Sequence, residues 1–202
     1  PTSVHIYTAG GTRHAGSLLH AKVNPHADCK SQLDNDNGNG ISSQNFEASL
    51  DAYDSQGADD FKLTAACTVR TVVTAGTYSN SVGPADSFNV TFYKNASGTP
   101  GAVIKTQLNR PYTDVSGVGN VTVKLGRNGP SLGAHRYWVS VQANLDFSTG
   151  GYWFWNTNNT VRGAASVWQQ PGNGNGTGCT TYTTTTVCIP GVGGDFAFAI
   201  KS

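Results

Sequence analysis

The sequence predicts an all-β chain: an antiparallel β-sandwich of jelly-roll type with an extended N-terminal arm. Three observations carry this. Short runs alternate apolar and polar residues with a period of two, as where Phe88, Val90 and Phe92 are set between Asn89, Thr91 and Tyr93. Clusters of Gly, Asn, Ser, Thr and Pro separate the runs and supply turns. Helix formers are scarce: Met is absent and Glu occurs once, as Glu47, while Val, Thr, Tyr, Phe and Trp abound.

The elements follow in order. Residues 1–42 form the arm, and residues 43–202 the sandwich domain. The arm holds four of the five histidines (His5, His14, His20 and His26). Residues 4–8, with Val4, Ile6 and Tyr7, read as a short strand. The polar stretch that follows ends in an Asn-Gly-rich run over residues 34–40, read as a flexible loop. The arm has too few apolar residues to build its own core. Its own sandwich, a disulfide at Cys29 or a neighbouring subunit must hold it. From Phe61 onward the strand signal is clear, over residues 61–64 and 68–74. Residues 95–101 are dense in turn formers, and Ala102, Val103 and Ile104 resume an extended run. Val121, Val123 and Leu125 alternate again, as do Tyr137, Val139, Val141 and Ala143. The last strand puts Phe196, Phe198 and Ile200 on one face, with Ala197 and Ala199 on the other. Short strands at this spacing fit a sandwich or jelly roll.

Several of these segments carry a resemblance. Asn45-Phe46-Glu47, Tyr53-Asp54-Ser55-Gln56 and Ala58-Asp59-Asp60-Phe61 resemble the opening of a β-sandwich domain found in secreted and surface-anchored bacterial proteins. Residues 98–103, residues 137–143 and the closing Asp195-Phe196-Ala197-Phe198-Ala199-Ile200 extend the likeness over about residues 43–202. The family is largely uncharacterised. The resemblance implies an extracellular sandwich, often attached to larger surface proteins, and says nothing of residues 1–42.

Charged residues make up 12% of the chain and its net charge is +1. No run of Lys and Arg forms a basic stripe, so nucleic acid is not an expected partner. No apolar stretch approaches the roughly 18 to 20 residues of a membrane-spanning helix. The sequence opens on Pro1 with neither an initiator Met nor a signal-peptide pattern, as a mature, processed chain does. The four cysteines lack zinc-type spacing. An even count in an apparently secreted chain points to two disulfides, with three connectivities open. The close pair Cys179–Cys188 is favoured and leaves Cys29 to Cys67. Four buried free thiols are the alternative.

Candidate sites are few. No nucleophile elbow, zinc-protease helix, phosphate-binding loop or dinucleotide fingerprint occurs, so a non-enzymatic chain is expected. Asp51, Asp54, Asp59 and Asp60 cluster in sequence. They suit calcium, as hard oxygen ligands, or turn capping, and less readily a hydrolase's acid pair. Asp34 and Asp36 match the first and third positions of a calcium loop, but Asn45 stands where the closing Glu belongs. His14, His20, His26 and Cys29 offer the imidazole and thiolate that suit zinc or copper, but their gaps match no usual ligand motif; the histidines read as solvated surface residues and Cys29 as a disulfide partner. Tyr152-Trp153-Phe154-Trp155 places Trp153 and Trp155 on one face of a strand and Tyr152 and Phe154 on the other. With Trp138 and Trp168 nearby, an exposed pair of rings would stack on sugars, whereas buried rings would fill the core. Five Asn-X-Ser/Thr sequons occur, at Asn89, Asn95, Asn120, Asn158 and Asn175.

Three functions are therefore in view. The first is a self-assembling subunit of a surface fibre or matrix, whose arm adds a strand to a neighbour. The second is a carbohydrate-binding or adhesive module that takes an extracellular polysaccharide on Trp153, Trp155, Tyr152 and Trp138. The third is a secreted hydrolase with Asp catalytic residues.

Overall fold

The computed structural model describes residues 6–7 and 27–202. Two β-layers face one another. The first is a seven-stranded sheet in the order Thr99–Arg110, Ser87–Ala96, Arg136–Asn144, Gln56–Lys62, Val167–Gln169, Thr183–Thr184. Its seventh strand, Gln44–Asn45, lies parallel to the end of Arg136–Asn144. The second layer contains two five-stranded sheets. One runs Tyr112–Thr113, Val121–Lys124, Thr71–Thr74, Phe198–Lys201, Asp28–Ser31. The other runs Ile6–Tyr7, Asp36–Ser42, Tyr152–Asn158, Asp195–Phe196, with Gly76–Ser79 also paired to Tyr152–Asn158.

These two sheets meet at a fork. Strands Thr71–Thr74 and Phe198–Lys201 pair directly, then part so that Tyr152–Asn158 enters between their continuations. At the fork three backbone bonds close a ring. Ala75 N–H donates to the Ala197 carbonyl (3.1 Å), Ala197 N–H to Asn156 (2.9 Å) and Asn156 N–H to Ala75 (3.0 Å). No amide is orphaned where the strands diverge.

The period-two alternation sets the core. Phe88, Val90 and Phe92 point inward from one layer, with Val139 and Val141. Val72, Val121, Val123, Phe198 and Ile200 meet them from the other. Phe61 meets Phe198 edge-on at 6.2 Å, and Phe88 meets Trp153 at 5.0 Å. Each fully buried large side chain contributes on the order of 1.5–3 kcal/mol. Trp155 and Phe196 stack at 4.3 Å. Phe196 lies so close over Gly57 that a Cβ there would sit 2.7 Å from the ring. Only glycine fits beneath that stack.

A smaller cluster lies on the outer face of the seven-stranded sheet: Ala58, Tyr93, Trp138 and Val167, packed against Ala164 and Tyr182. Trp138 Nε1 donates to Asn95 Oδ1 (3.0 Å), and the Tyr93 and Tyr182 hydroxyls are 3.2 Å apart. Disulfide Cys179–Cys188 closes the loop that carries Tyr182, and Cys29–Cys67 fastens the strand Asp28–Ser31. Both pairs match the favoured connectivity. Each restricts the unfolded chain, an effect of about 2–4 kcal/mol.

The N-terminal region departs from expectation. Residues 34–40, expected as a flexible loop, mostly belong to the strand Asp36–Ser42, which pairs with Tyr152–Asn158. Local Asn-Gly composition yields here to backbone pairing with a neighbour that comes more than a hundred residues later. Residue 42 is therefore no boundary, because Asp28–Ser31 and Asp36–Ser42 are both built into the sandwich. Ile6–Tyr7 pairs antiparallel with Ile41 and Gly40 of the same chain, so the strand expected to reach a neighbour lies at its own sheet. Val4, His5, His14, His20 and His26 lie outside the described residues.

Candidate functional site

The aromatic strand turns its tryptophans inward. Trp153 and Trp155 have no exposed surface, and Trp138 is equally enclosed under the outer cluster. Trp153 Nε1 donates to the Gly119 carbonyl (2.9 Å) and Trp155 Nε1 to Ala197 (3.1 Å). These rings hold the sandwich together, and the expected tryptophan platform for sugars is not formed. The alternation itself was correct: Tyr152 faces the other way and is half-buried. It contacts Phe147 (4.8 Å), Phe154 (5.5 Å) and Phe46 (5.8 Å).

The four acids expected to cluster do not converge. Asp59 and Asp60 leave opposite faces of the strand Gln56–Lys62, and both are fully buried. Asp59 Oδ2 accepts from Gln32 Nε2 (2.9 Å) and Phe196 N–H (2.7 Å), and Oδ1 accepts from Asp60 N–H (2.8 Å). Burial and then the nearby Asp195 charge push the Asp59 carboxyl well above its ordinary range. Burial also lifts Asp195, to about 6, against the opposing pull of the Arg162 N–H and guanidinium. Asp60 is held instead by an ion pair with Arg136 and by Ala164 N–H (2.8 Å). Asp54 accepts from Phe46 N–H (2.8 Å), while Asp51 is exposed. Among the described residues no three His, Cys, Asp or Glu side chains gather as a metal site would require. Cys29 is in its disulfide, which removes it as a thiolate ligand.

A concave feature of another kind lies elsewhere. A cleft of about 550 Å³ opens at the end of the sandwich where Arg136–Asn144 begins. Its lining includes Lys94, Ile104, Leu132, His135, Arg136 and Tyr137. Tyr137 packs against Phe61 (5.9 Å) and accepts from Gly133 N–H (3.1 Å), which fixes its ring as a half-buried floor. Lys94 lies opposite Tyr137 in register and Lys62 opposite Arg136, both exposed. Lys105 adjoins the lining residue Ile104 in sequence. Among the described residues, Lys62, Lys94 and Lys105 enter no ion pair. Asp60 at this end already faces Arg136, so the rim is positive.

The far end of the same strand is the reverse. Glu47 Oε2 accepts from Phe147 N–H (2.7 Å) and Oε1 from Ser148 N–H (3.2 Å). Burial pushes the Glu47 carboxyl up, but these N–H groups and its own outweigh that and hold it below its ordinary value. Asp51, Asp86 and Asp146 are exposed around it, and Asp54 is part-buried. Tyr53, Phe147 and Tyr152, each partly exposed, stand among these acids. Arg110 is the cation nearest in register, opposite Phe88, and its Nε donates to the Lys124 carbonyl (3.2 Å).

Neither end was singled out by motif. The signal that could have found them is the distribution of charge along the chain. Lys94, Lys105 and Arg136 of the positive end fall in residues 94–136, which hold one acid, Asp114, whereas Glu47, Asp51, Asp54 and Asp146 of the other end fall in residues 43–54 and 137–161, which hold no Lys or Arg.

No protein family, no curated protein and no solved structure matches the chain.

Proposed function

We propose that this chain is a non-enzymatic extracellular building block that associates with copies of itself. The observation that carries the reading is the separation of charge: a positive cleft at one end of the strand Arg136–Asn144 and an acidic, aromatic end at the other. Two disulfides and a net charge of +1 support a stable extracellular chain whose copies are not held apart by long-range repulsion. Asp59 and Asp195, the acids whose protonation burial alters most, do not line the cleft, which favours a structural over a hydrolytic role.

Strand donation by residues 4–8 is no longer the favoured means of assembly, because Ile6–Tyr7 pairs within its own chain. A polysaccharide reading loses Trp153, Trp155 and Trp138 to the core. Negative-stain electron microscopy of the full chain over a range of concentrations tests the proposal. Linear rows of particles that lengthen with concentration are expected. Discrete particles at every concentration would overturn it, and the aromatic end would then be probed with neutral polysaccharides.

A further inference from the structure

We infer that the basic cleft is a socket for the acidic, aromatic end of a second copy of this chain, an inference that rests on the self-association proposed above. The two surfaces complement each other in charge and in apolar character. The socket offers Lys62, Lys94, His135 and Arg136 around Tyr137, Ile104 and Leu132. The opposite end offers Glu47, Asp51, Asp54 and Asp146 around Tyr53, Phe147 and Tyr152. Apolar rings supply contact area, and the surrounding charges steer and orient it.

The placement of the two surfaces fixes the kind of assembly. They lie at opposite termini of one nine-residue strand, Arg136–Asn144, roughly 27 Å apart at about 3.3 Å per residue. A contact between unlike surfaces is heterologous, and with the two at opposite ends it repeats without closing, giving a row of copies.

Lateral association is disfavoured by the sheet edges. Thr99–Arg110 is the long outermost strand, with Val103 and Leu108 exposed. It is interrupted by three register shifts, begins with Pro100 at its second position and carries exposed Lys105. Bulges, proline and lysine are the devices that keep an edge from adding a strand. The outer strands Thr183–Thr184, Tyr112–Thr113, Asp28–Ser31 and Ile6–Tyr7 are two to four residues long. The ends, unlike the edges, carry a surface that matches another part of the molecule.

A charge swap tests the inference. One variant combines Lys62→Glu with Lys94→Glu, and the other combines Asp51→Lys with Asp146→Lys. All four residues are exposed, and thermal melts establish that both variants fold. Sedimentation velocity of wild type, each variant alone and their equimolar mixture reads the outcome. Wild type is expected to associate, and to do so less as salt rises. Each variant alone is expected to associate at least tenfold more weakly. The mixture is expected to recover association, because each reversed end then meets an end reversed to match. Variants that associate like wild type, or a mixture that stays apart while wild type associates, would overturn the socket and leave self-association standing. Wild type that stays discrete at every concentration would overturn both.

Discussion

Asp59 and Asp60 are neighbours on one strand, equally buried, and they face two regions that neutralise a carboxyl by different means. On the inner side Asp59 has no cation of its own. It is held by Gln32 Nε2, by the Phe196 and Asp60 N–H groups, and it lies near Asp195. Arg162, the nearby cation, is bound to Asp34 (2.7 Å). On the outer side Asp60 meets Arg136 directly. The inner arrangement joins three distant pieces of chain: Gln32, Asp59 and the Asp195–Phe196 strand. Asn158 adds to it by donating from Nδ2 to the carbonyls of Gln32 and Asp34. The outer arrangement orients a guanidinium at the rim of the cleft. Hydrogen-bonded burial serves cohesion here, and ion pairing serves the surface.

The comparison can be broken from either side. Phe196→Ala removes the ring stacked on Trp155 and opens a cavity beside Asp59, and should destabilise the fold by about 3–5 kcal/mol in urea titration. Asp60→Asn removes the partner of a guanidinium that is one-third exposed. Because water reaches Arg136, the loss should be about 2 kcal/mol, below the usual figure for a broken buried pair.

The inner region should respond to pH in the opposite sense to ordinary salt-bridged carboxylates. Folded Asp195 keeps its proton to about pH 6, whereas an unfolded Asp releases it near ~3.9. Its contribution is therefore complete below about pH 4 and is lost as pH rises through about 6. Melting temperature should fall by a few degrees from pH 5 to pH 7.5, with the raised Asp59 acting in the same sense, and Asp195→Asn should reduce that slope without abolishing it. An unchanged slope in the variant would remove Asp195 as its source. Smallest of all, Tyr182→Phe should cost about 1 kcal/mol by leaving the Tyr93 hydroxyl without its partner.

Much of this architecture was legible because alternation is a local signal. The period-two runs at 88–92, 121–125, 137–143 and 196–200 fall on strands and point their apolar residues inward. The same rule paired Trp153 with Trp155 on one face, but periodicity does not say which face is the inner one. The facing layer decides that, through Phe88 against Trp153. The strand Asp36–Ser42 was hidden because its stability comes from a partner far along the chain, not from its own Asn and Gly residues. Asp59 and Asp60 read as calcium ligands or turn caps since their partners, Gln32, Asp195 and Arg136, are remote in sequence. The charged ends were visible only as a bias spread over tens of residues, which no short motif captures.

The strand Arg136–Asn144 is flanked by Ser87–Ala96 from Tyr137 to Asn144 and by Gln56–Lys62 and Gln44–Asn45 on its other side. It also connects the two charged ends. Tension applied between those ends runs parallel to the strand and perpendicular to its ladder bonds. The ladder is then loaded in shear, with many hydrogen bonds sharing the force at once, whereas peeling from an edge would break them one by one. A row of such molecules would bear load along its length through the best-paired strand of each unit.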